Sequence, residues 1–447
     1  ERKGKETSRT VTITPAIVTV LLGSFPFLSS GQLGLPGVGI NNDMAMHLVF
    51  AEWLIEPVGA TPPGILQGYP IGPQALVTTL TWALGSEPLR GFVGLILAIP
   101  VLIAIASLAV LRDLRPLPRI LGAAFVPVAY LSASILGIAG FKEQLMALWL
   151  ICTAIALREI SRRGEGRVAM VLGIVAMCGG AIAAYSYPGL GWIVGTAAAW
   201  ALFELLRIRR EGPPGRAGEV IREAIPVLAV VGGLLLLVAL SQFNRIKEFL
   251  DAGAFDIVTE TASKLRFTVQ PFEALGTWPS GNWLLGRSDV DLWWLFGAIG
   301  VAVLAYTVAW AIRRRELALL GALAAATAIY VVTALIGERY VEAKALAIPA
   351  SLIMLMALAA LLNRDEKASP FRIGLAVLFI GLASYSSFLA LRDTRVAPPD
   401  RFEELTRLRD IVEGKRVIVF TSDRYTDYYL RGAEVQSPAI NAELHLP

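Results

Sequence analysis

Long apolar runs separated by short polar pieces make up most of this chain. The runs lie at 13–30, 90–111, 120–139, 143–158, 167–186, 188–206, 224–242, 291–311, 317–336, 342–362 and 371–391. The hydrocarbon core of a bilayer is crossed by roughly 20 apolar residues of helix, so each run reads as a transmembrane helix. A further apolar piece at 71–87, "IGPQALVTTLTWALGSE", is shorter and opens with Gly and Pro. Before it, Met44, Leu48, Ala51 and Ile55 recur at helical spacing and predict an amphipathic helix over 44–56.

Whether 71–87 crosses the membrane decides the side on which every later loop lies. The basic pieces are the N-terminal "ERKGKETSR", "RDLRPLPR" (112–119), "REISRRGEGR" (158–167), "RIRREGPPGR" (207–216), "RRRE" (313–316) and "NRDEK" (363–367). If 71–87 does not cross, all of them share the cytoplasm, as the excess of Lys and Arg in cytoplasmic loops favours. The expected fold is therefore an all-α polytopic membrane protein of about eleven spans, with 71–87 re-entrant or interfacial. The outer side then receives the long first loop (31–89), "GIAGFKEQ" (137–144), "YSYPGLGW" (185–192), a second long loop (243–290), "GERYVEAK" (337–344) and the tail from 392.

Composition agrees with this partition. The chain is 55% hydrophobic and only 17% charged, with a mean hydropathy of +0.61, whereas soluble domains are about a quarter charged. The net charge of +4 sits mostly in the short loops, where it orients the chain. No basic soluble face suited to nucleic acid is present. Cys152 and Cys178 fall inside apolar segments and read as small buried hydrophobes. Two cysteines and two histidines argue against a zinc cluster. The first span can itself serve as the insertion signal. No internal repeat of the kind many transporters carry is visible.

The unusual polar residues gather on the outer side. "NNDMAMH" follows the first span, with His47 one helical turn beyond Asp43. Asn42 or Asp43 can cap the following helix with His47 paired at i+4; equally, Asp43 can be a carboxylate that takes the proton of an attacking hydroxyl. Lys142 and Glu143 begin another span, either as a snorkelling pair or as functional charges, because unpaired charge near hydrocarbon is costly. Arg339, Tyr340 and Lys344 open the tenth span. The two cations can clamp a phosphate or pair with Glu338 and Glu342. In the second long loop Lys264 and Arg266 are followed by Phe272, Trp278 and Trp283. Those aromatics suit a sugar face or an interfacial belt. "LQGYPIGPQAL" (66–76) offers Gln67, Tyr69 and Gln74 in a piece that dips without spanning and lines a cavity, and the turn near 187 offers Tyr187.

This layout resembles the GT-C superfamily of membrane glycosyltransferases, which includes protein O-mannosyltransferases, the lipid A aminoarabinose transferase and the oligosaccharyltransferase catalytic subunit. The family carries an acid in the first outer loop just after span one, matched here by Asp43, and interfacial helices in that loop, matched by 44–56 and 71–87. A second acidic motif follows span three, matched by Glu143. "YP-x-G" at Tyr69–Gly72 and "RY-x3-K" ending at Lys344 look like features of bacterial members without an assigned substrate. The resemblance covers residues 1–391 and implies a polyprenyl-phosphate-linked sugar as donor and a glycan, lipid or protein as acceptor. Transfer would take place at the extracytoplasmic face of the plasma membrane, with inversion. It implies Asp43 and Glu143 as catalytic acids, and Arg339, Lys344, Arg266 and Lys142 as partners of the donor phosphate. His47, Tyr69, Gln67, Tyr187, Trp278 and Tyr340 would meet substrate. "KE" stands where the oligosaccharyltransferase subunit has "DxD", so no cofactor is assigned and dependence on a divalent cation stays open. A transporter or flippase of a lipid-linked sugar, and a lipid-linked glycan ligase or polymerase, are the alternatives.

The tail, 392–447, changes character. "DRFEELTRLRDIVEG" predicts an amphipathic helix ending at Gly414, "KRVIVF" (415–420) a buried strand, and "TSDRYTDYYL" a loop and helix. About fifty residues make a poor core alone. This α/β piece either packs on the outer loops or continues beyond Pro447.

Overall fold

Ten helices long and apolar enough to cross a membrane are found among the described residues of the computed structural model, and a bent pair, Pro116–Val128 and Tyr130–Gly137, brings the number to eleven. The described residues are 2–37, 43–57, 61–162, 166–213, 215–251, 268–363, 369–397, 399–420 and 425–436. Each expected span has its counterpart. Several open on a proline in the first turn, as at Pro88, Pro188 and Pro370, where a missing N–H costs nothing and φ is already helical. The 51° bend of the paired span falls at Ala129, which is extended (φ −52°, ψ 149°) just after Pro127. Proline withholds a donor from the helical ladder, and the chain breaks there.

The spans pack through small residues, as lipid-embedded helices do when no hydrophobic drive separates them from their solvent. A Cβ on Gly321 would meet the backbone N of Trp200 at 2.8 Å, so Leu317–Ile336 lies directly on Pro188–Glu211. The Arg339–Leu361 span is buried along most of its length and forms the centre. Arg216–Ser241 buries none of its residues and faces lipid.

Seven elements position the outer polar residues: α1 (Asp43–Ile55), α2 (Gly72–Leu84), α3 (Phe141–Arg162), α4 (Arg167–Tyr185), α5 (Phe243–Asp251), α6 (Arg339–Leu361) and α7 (Tyr425–Tyr429). The 13 residues of α2 span about 20 Å, too short to cross. Thr78 Oγ1 donates to Ala51 O at 3.0 Å, holding α2 against α1. The expected stripe on α1 is borne out at Met44, Leu48 and Ala51, which are buried, while Ile55 is exposed.

The basic loops collect at one end of the spans and are tied to one another. Arg112 reaches Glu159 at 3.1 Å, Arg158 and Arg162 each reach Glu316 at 2.7 Å, and Arg315 reaches Glu211 at 2.9 Å. In the tail, Pro399–Val412 is helical as expected. The strand is shorter than "KRVIVF" suggests and is not buried: Arg416–Ile418 pairs in parallel with Glu434–Gln436, and Ile418 and Phe420 are exposed. A strand of two-sided apolar composition reads as a core strand; here only a two-stranded sheet forms around it. The tail docks through α7 on α1, where Arg431 reaches Glu52 at 2.8 Å.

Candidate active site

The first outer loop is held against the start of α3 by a glycine. Gly37 adopts φ +82°, and a Cβ there would meet the Ile138 backbone at 2.7 Å. The chain leaving span one therefore lies on the turn that precedes Lys142 and Glu143. The same turn ends at Gly140, whose N–H donates to Ile135 O at 2.8 Å and closes the preceding helix.

Glu143 sits in the first turn of α3, where the helix dipole favours an acid. Its Oε1 lies 3.0 Å from Lys344 Nζ and accepts a longer bond, 3.4 Å, from Tyr185 OH. Tyr340 and Lys344 share one face of α6 because they are four apart, and the ammonium stands 4.4 Å from the Tyr340 ring centroid and 5.9 Å from that of Tyr185. Tyr185 is the last residue of α4. The next residue, Ser186, has φ 61° and ψ −161°, a conformation side chains rarely adopt, and it turns the chain away while leaving Tyr185 on α3.

Lys142, 8% exposed, donates to Pro70 O at 3.1 Å and lies 3.7 Å from the Tyr69 ring centroid. It grips the "YP" of the loop before α2. Arg245 of α5 grips the same loop from the other side, donating to Gly68 O at 3.2 Å and Ile182 O at 2.9 Å. Burial lowers the pKa of its guanidinium. Gly68 takes φ +70°, and a side chain there would run into the backbone of α5. Asp43, partly exposed at the start of α1, acts electrostatically on Tyr69, Lys142 and Tyr340. Burial raises the Tyr69 phenol above its ordinary value; Lys344 pulls it down, and Asp43, Glu143 and Tyr340 push it up. Two carboxylates, two ammoniums and one guanidinium thus converge on three tyrosines.

The structure brings together Asp43, Glu143, Lys142, Lys344, Tyr69 and Tyr340 from the expected set. His47 turns inward instead: its Nδ1 is 2.8 Å from Gln74 Nε2, and its ring packs edge-on against Phe141 at 4.8 Å. It lines the wall behind Tyr69. Arg339 is exposed and acts on Glu342, as in the pairing alternative. Gln67 is exposed at the end of a one-turn helix. Trp278 is 0% exposed and packed on Phe272, its backbone N–H donates to Ser386 Oγ, and no ring face is left for a sugar. Tyr187 opens the next span and is partly exposed; Tyr185 bonds to Glu143 in its stead. Arg266 and Lys264, like Asn41 and Asn42, lie outside the described residues.

Sequence reasoning misses Tyr185 and Arg245. Tyr185 lies two residues before Tyr187, on the helical side of the turn. Arg245 opens an amphipathic segment and reads as surface. Glu273, also missed, is 1% exposed, accepts from Gln270 N at 2.7 Å and is pushed up to about 8 by burial. It lies in the Pro271–Leu275 turn beside α6.

No protein family matches the sequence, and no curated protein is similar to it. Solved structures do match. ArnT from Cupriavidus metallidurans in its apo state superposes with a TM-score of 0.56 at 14% identity, over 96% of this chain and 88% of that one. The apo Archaeoglobus fulgidus oligosaccharyltransferase gives 0.54 at 16% identity, over 94% of this chain but 59% of that one, so the chain spans about three-fifths of its length. The same enzyme in complex with Zn and sulfate gives 0.54 at 15% identity, over 94% of this chain and 57% of that one. With its helical membrane framework, its short helices in the first loop and its small C-terminal sheet, the chain shares the fold of these two membrane proteins.

Proposed function

We propose that the protein is a glycosyltransferase that moves a sugar from a polyprenyl-phosphate donor to an acceptor hydroxyl at the extracytoplasmic face. The observation that carries this reading is the meeting of Asp43, Glu143, Lys142, Lys344 and Arg245 at one end of the spans, opposite the basic loops. A phosphodiester brings a negative charge to the place where Lys344, Lys142 and Arg245 gather. A lipid tail can lie along the spans while its phosphate stops at the surface.

Lys344 is the cation best placed for that phosphate. Its side chain is 28% exposed, and an ammonium is a compact point charge suited to phosphate. Glu143 and the two tyrosines hold it, so Glu143, expected from sequence as a catalytic acid, acts here as a positioning residue. Asp43 is the base. It takes the proton of the acceptor hydroxyl as that oxygen bonds to the anomeric carbon, and the anomeric carbon–oxygen bond to phosphate breaks. The electron pair leaves on the phosphate, where Lys344 and Lys142 stabilise the added charge. One displacement inverts the anomeric centre.

A divalent cation fits this donor set poorly. Among the described residues no group of three or more His, Cys, Asp or Glu comes together. One of the two site carboxylates is already bonded to an ammonium, and a hard cation wants six or more oxygens without competing positive charge. No step of the transfer is routed through a metal.

The test is transfer by purified protein in proteoliposomes supplied with polyprenyl-phosphate pentoses and hexoses. Asp43→Asn should fold, bind donor and lose at least about a hundredfold in kcat. Lys344→Met should raise the donor KM. Wild-type turnover in Asp43→Asn removes the base assignment, and an unchanged donor KM in Lys344→Met removes the phosphate assignment.

A further inference from the structure

The far ends of the two site helices build a second polar chamber. Lys142 and Arg158 lie on α3, 16 residues apart, which is about 24 Å of helix. Lys344 and Ala359 are separated in a similar way on α6. Around Arg158 and Ala359 is a cavity of about 140 Å³, lined by Asp113, Arg158, Arg162, Trp310, Arg314, Glu316 and Asn363 among others. Its volume is that of about five water molecules in the liquid. A phosphate group with its ester link fits in it.

The lining is built to take an anion. Three guanidiniums face two carboxylates, so the chamber carries an excess of one positive charge. Glu316 is already bonded by both Arg158 (Nε–Oε2 and Nη2–Oε1, 2.7 Å each) and Arg162 (Nη2–Oε1, 2.7 Å). Arg158 is 5% exposed, held further by Ala109 O at 3.3 Å, and cannot swing out to water. The second observation is independent of charge. Trp310 is 4% exposed, lines the same cavity, and its Nε1–H has no partner among the described residues. A buried indole N–H almost always finds an acceptor, and an anion's oxygen would be one. Trp53 and Trp278 also carry buried indole N–H groups without a partner among the described residues, but of the three only Trp310 lines this cavity.

We propose that this chamber is a phosphate-binding site at the opposite membrane face from the candidate active site, taking either the phosphate of an anionic lipid headgroup or a free phosphate. Planar guanidiniums suit phosphate oxygens geometrically as well as electrically. The site is distinct from the glycosyl-transfer site and stands whether or not that site acts as proposed.

The experiment uses the full-length protein. Binding is measured by native mass spectrometry from phosphatidylcholine nanodiscs with and without phosphatidic acid, and by thermal unfolding against inorganic phosphate in detergent. Wild type should retain phosphatidic acid over phosphatidylcholine, or be stabilised by phosphate at millimolar level. Phosphatidic acid alone assigns the lipid source, and stabilisation by inorganic phosphate assigns the free one. Trp310→Phe, which removes only the N–H, should weaken binding about three- to tenfold, and Arg314→Gln by at least about tenfold. Wild type that prefers neither ligand overturns the proposal. So does unchanged binding in Trp310→Phe and Arg314→Gln, and the wild-type result decides alone if a variant fails to fold.

Discussion

Lys344 sits where hydrocarbon begins, with Glu143 at 3.0 Å and a tyrosine ring 4.4 Å away. Its position was readable as that of a cation out of place against the orientation bias. That Glu143 holds it was not, because α3 and α6 are far apart in sequence and only packing joins them. Asp43 was likewise legible from its position, whereas the choice between Tyr185 and Tyr187 turned on one strained residue, Ser186. Glu273 carries a prediction of its own. Burial raises its carboxyl from 4.5 to about 8. Below pH 4.5 the folded and unfolded states both hold the proton. Above it the unfolded chain ionises first, so stability falls as pH rises to about 8 and then levels off. Glu273→Gln keeps the acceptor for Gln270 N and cannot ionise. Its thermal unfolding midpoint should exceed that of wild type by a margin that grows from pH 5 to pH 8, reflecting up to a few kcal/mol. A margin that stays flat with pH contradicts the assignment.

At the scale of elements, hydrophobic periodicity and the distribution of Arg and Lys reveal the spans and the non-crossing α2. The 13-residue length of α2 agrees with that reading. Its seat is set by detail no periodicity carries: a Cβ on Gly72 would lie 2.8 Å from both Ala183 Cβ and Ala183 O. Gly72→Val should push α2 off α4 and pull Pro70 away from Lys142, costing about 1–3 kcal/mol. The expected result is a lowered unfolding midpoint together with a loss of transfer. Transfer at the wild-type rate contradicts the view that α2 positions the site. The tail was legible as α/β but the extent of its strand was not, since an apolar run of four, Val417 to Phe420, does not reveal that its partner has only three residues.

Over the whole molecule the tail brackets the segment that carries Asp43. On one flank Leu35 O accepts from Ala397 N at 3.0 Å and Gly37 N–H donates to Arg395 O at 2.8 Å. On the other, α7 buries Tyr425, Tyr428 and Tyr429 on α1, and Arg431 ties to Glu52 at 2.8 Å and stacks over Tyr428 at 4.8 Å. In sequence the tail is set apart, with packing on the outer loops as one expected outcome; its particular seat depends on contacts across nearly 400 residues. Arg431→Ala should leave the spans intact and lower kcat several-fold by loosening α1, a change that Arg431→Lys partly restores. Full activity in Arg431→Ala would separate the tail from the site. Asp43 and Lys344 must lie on opposite sides of one anomeric carbon for the proposed transfer to work, Asp43 beside the acceptor hydroxyl and Lys344 at the donor phosphate. A structure of the protein with a non-hydrolysable polyprenyl-phosphate sugar tests this most directly. It should place a phosphate oxygen about 3 Å from Lys344 Nζ, with the anomeric carbon facing Asp43. A phosphate bound away from Lys344, or a sugar turned away from Asp43, contradicts it.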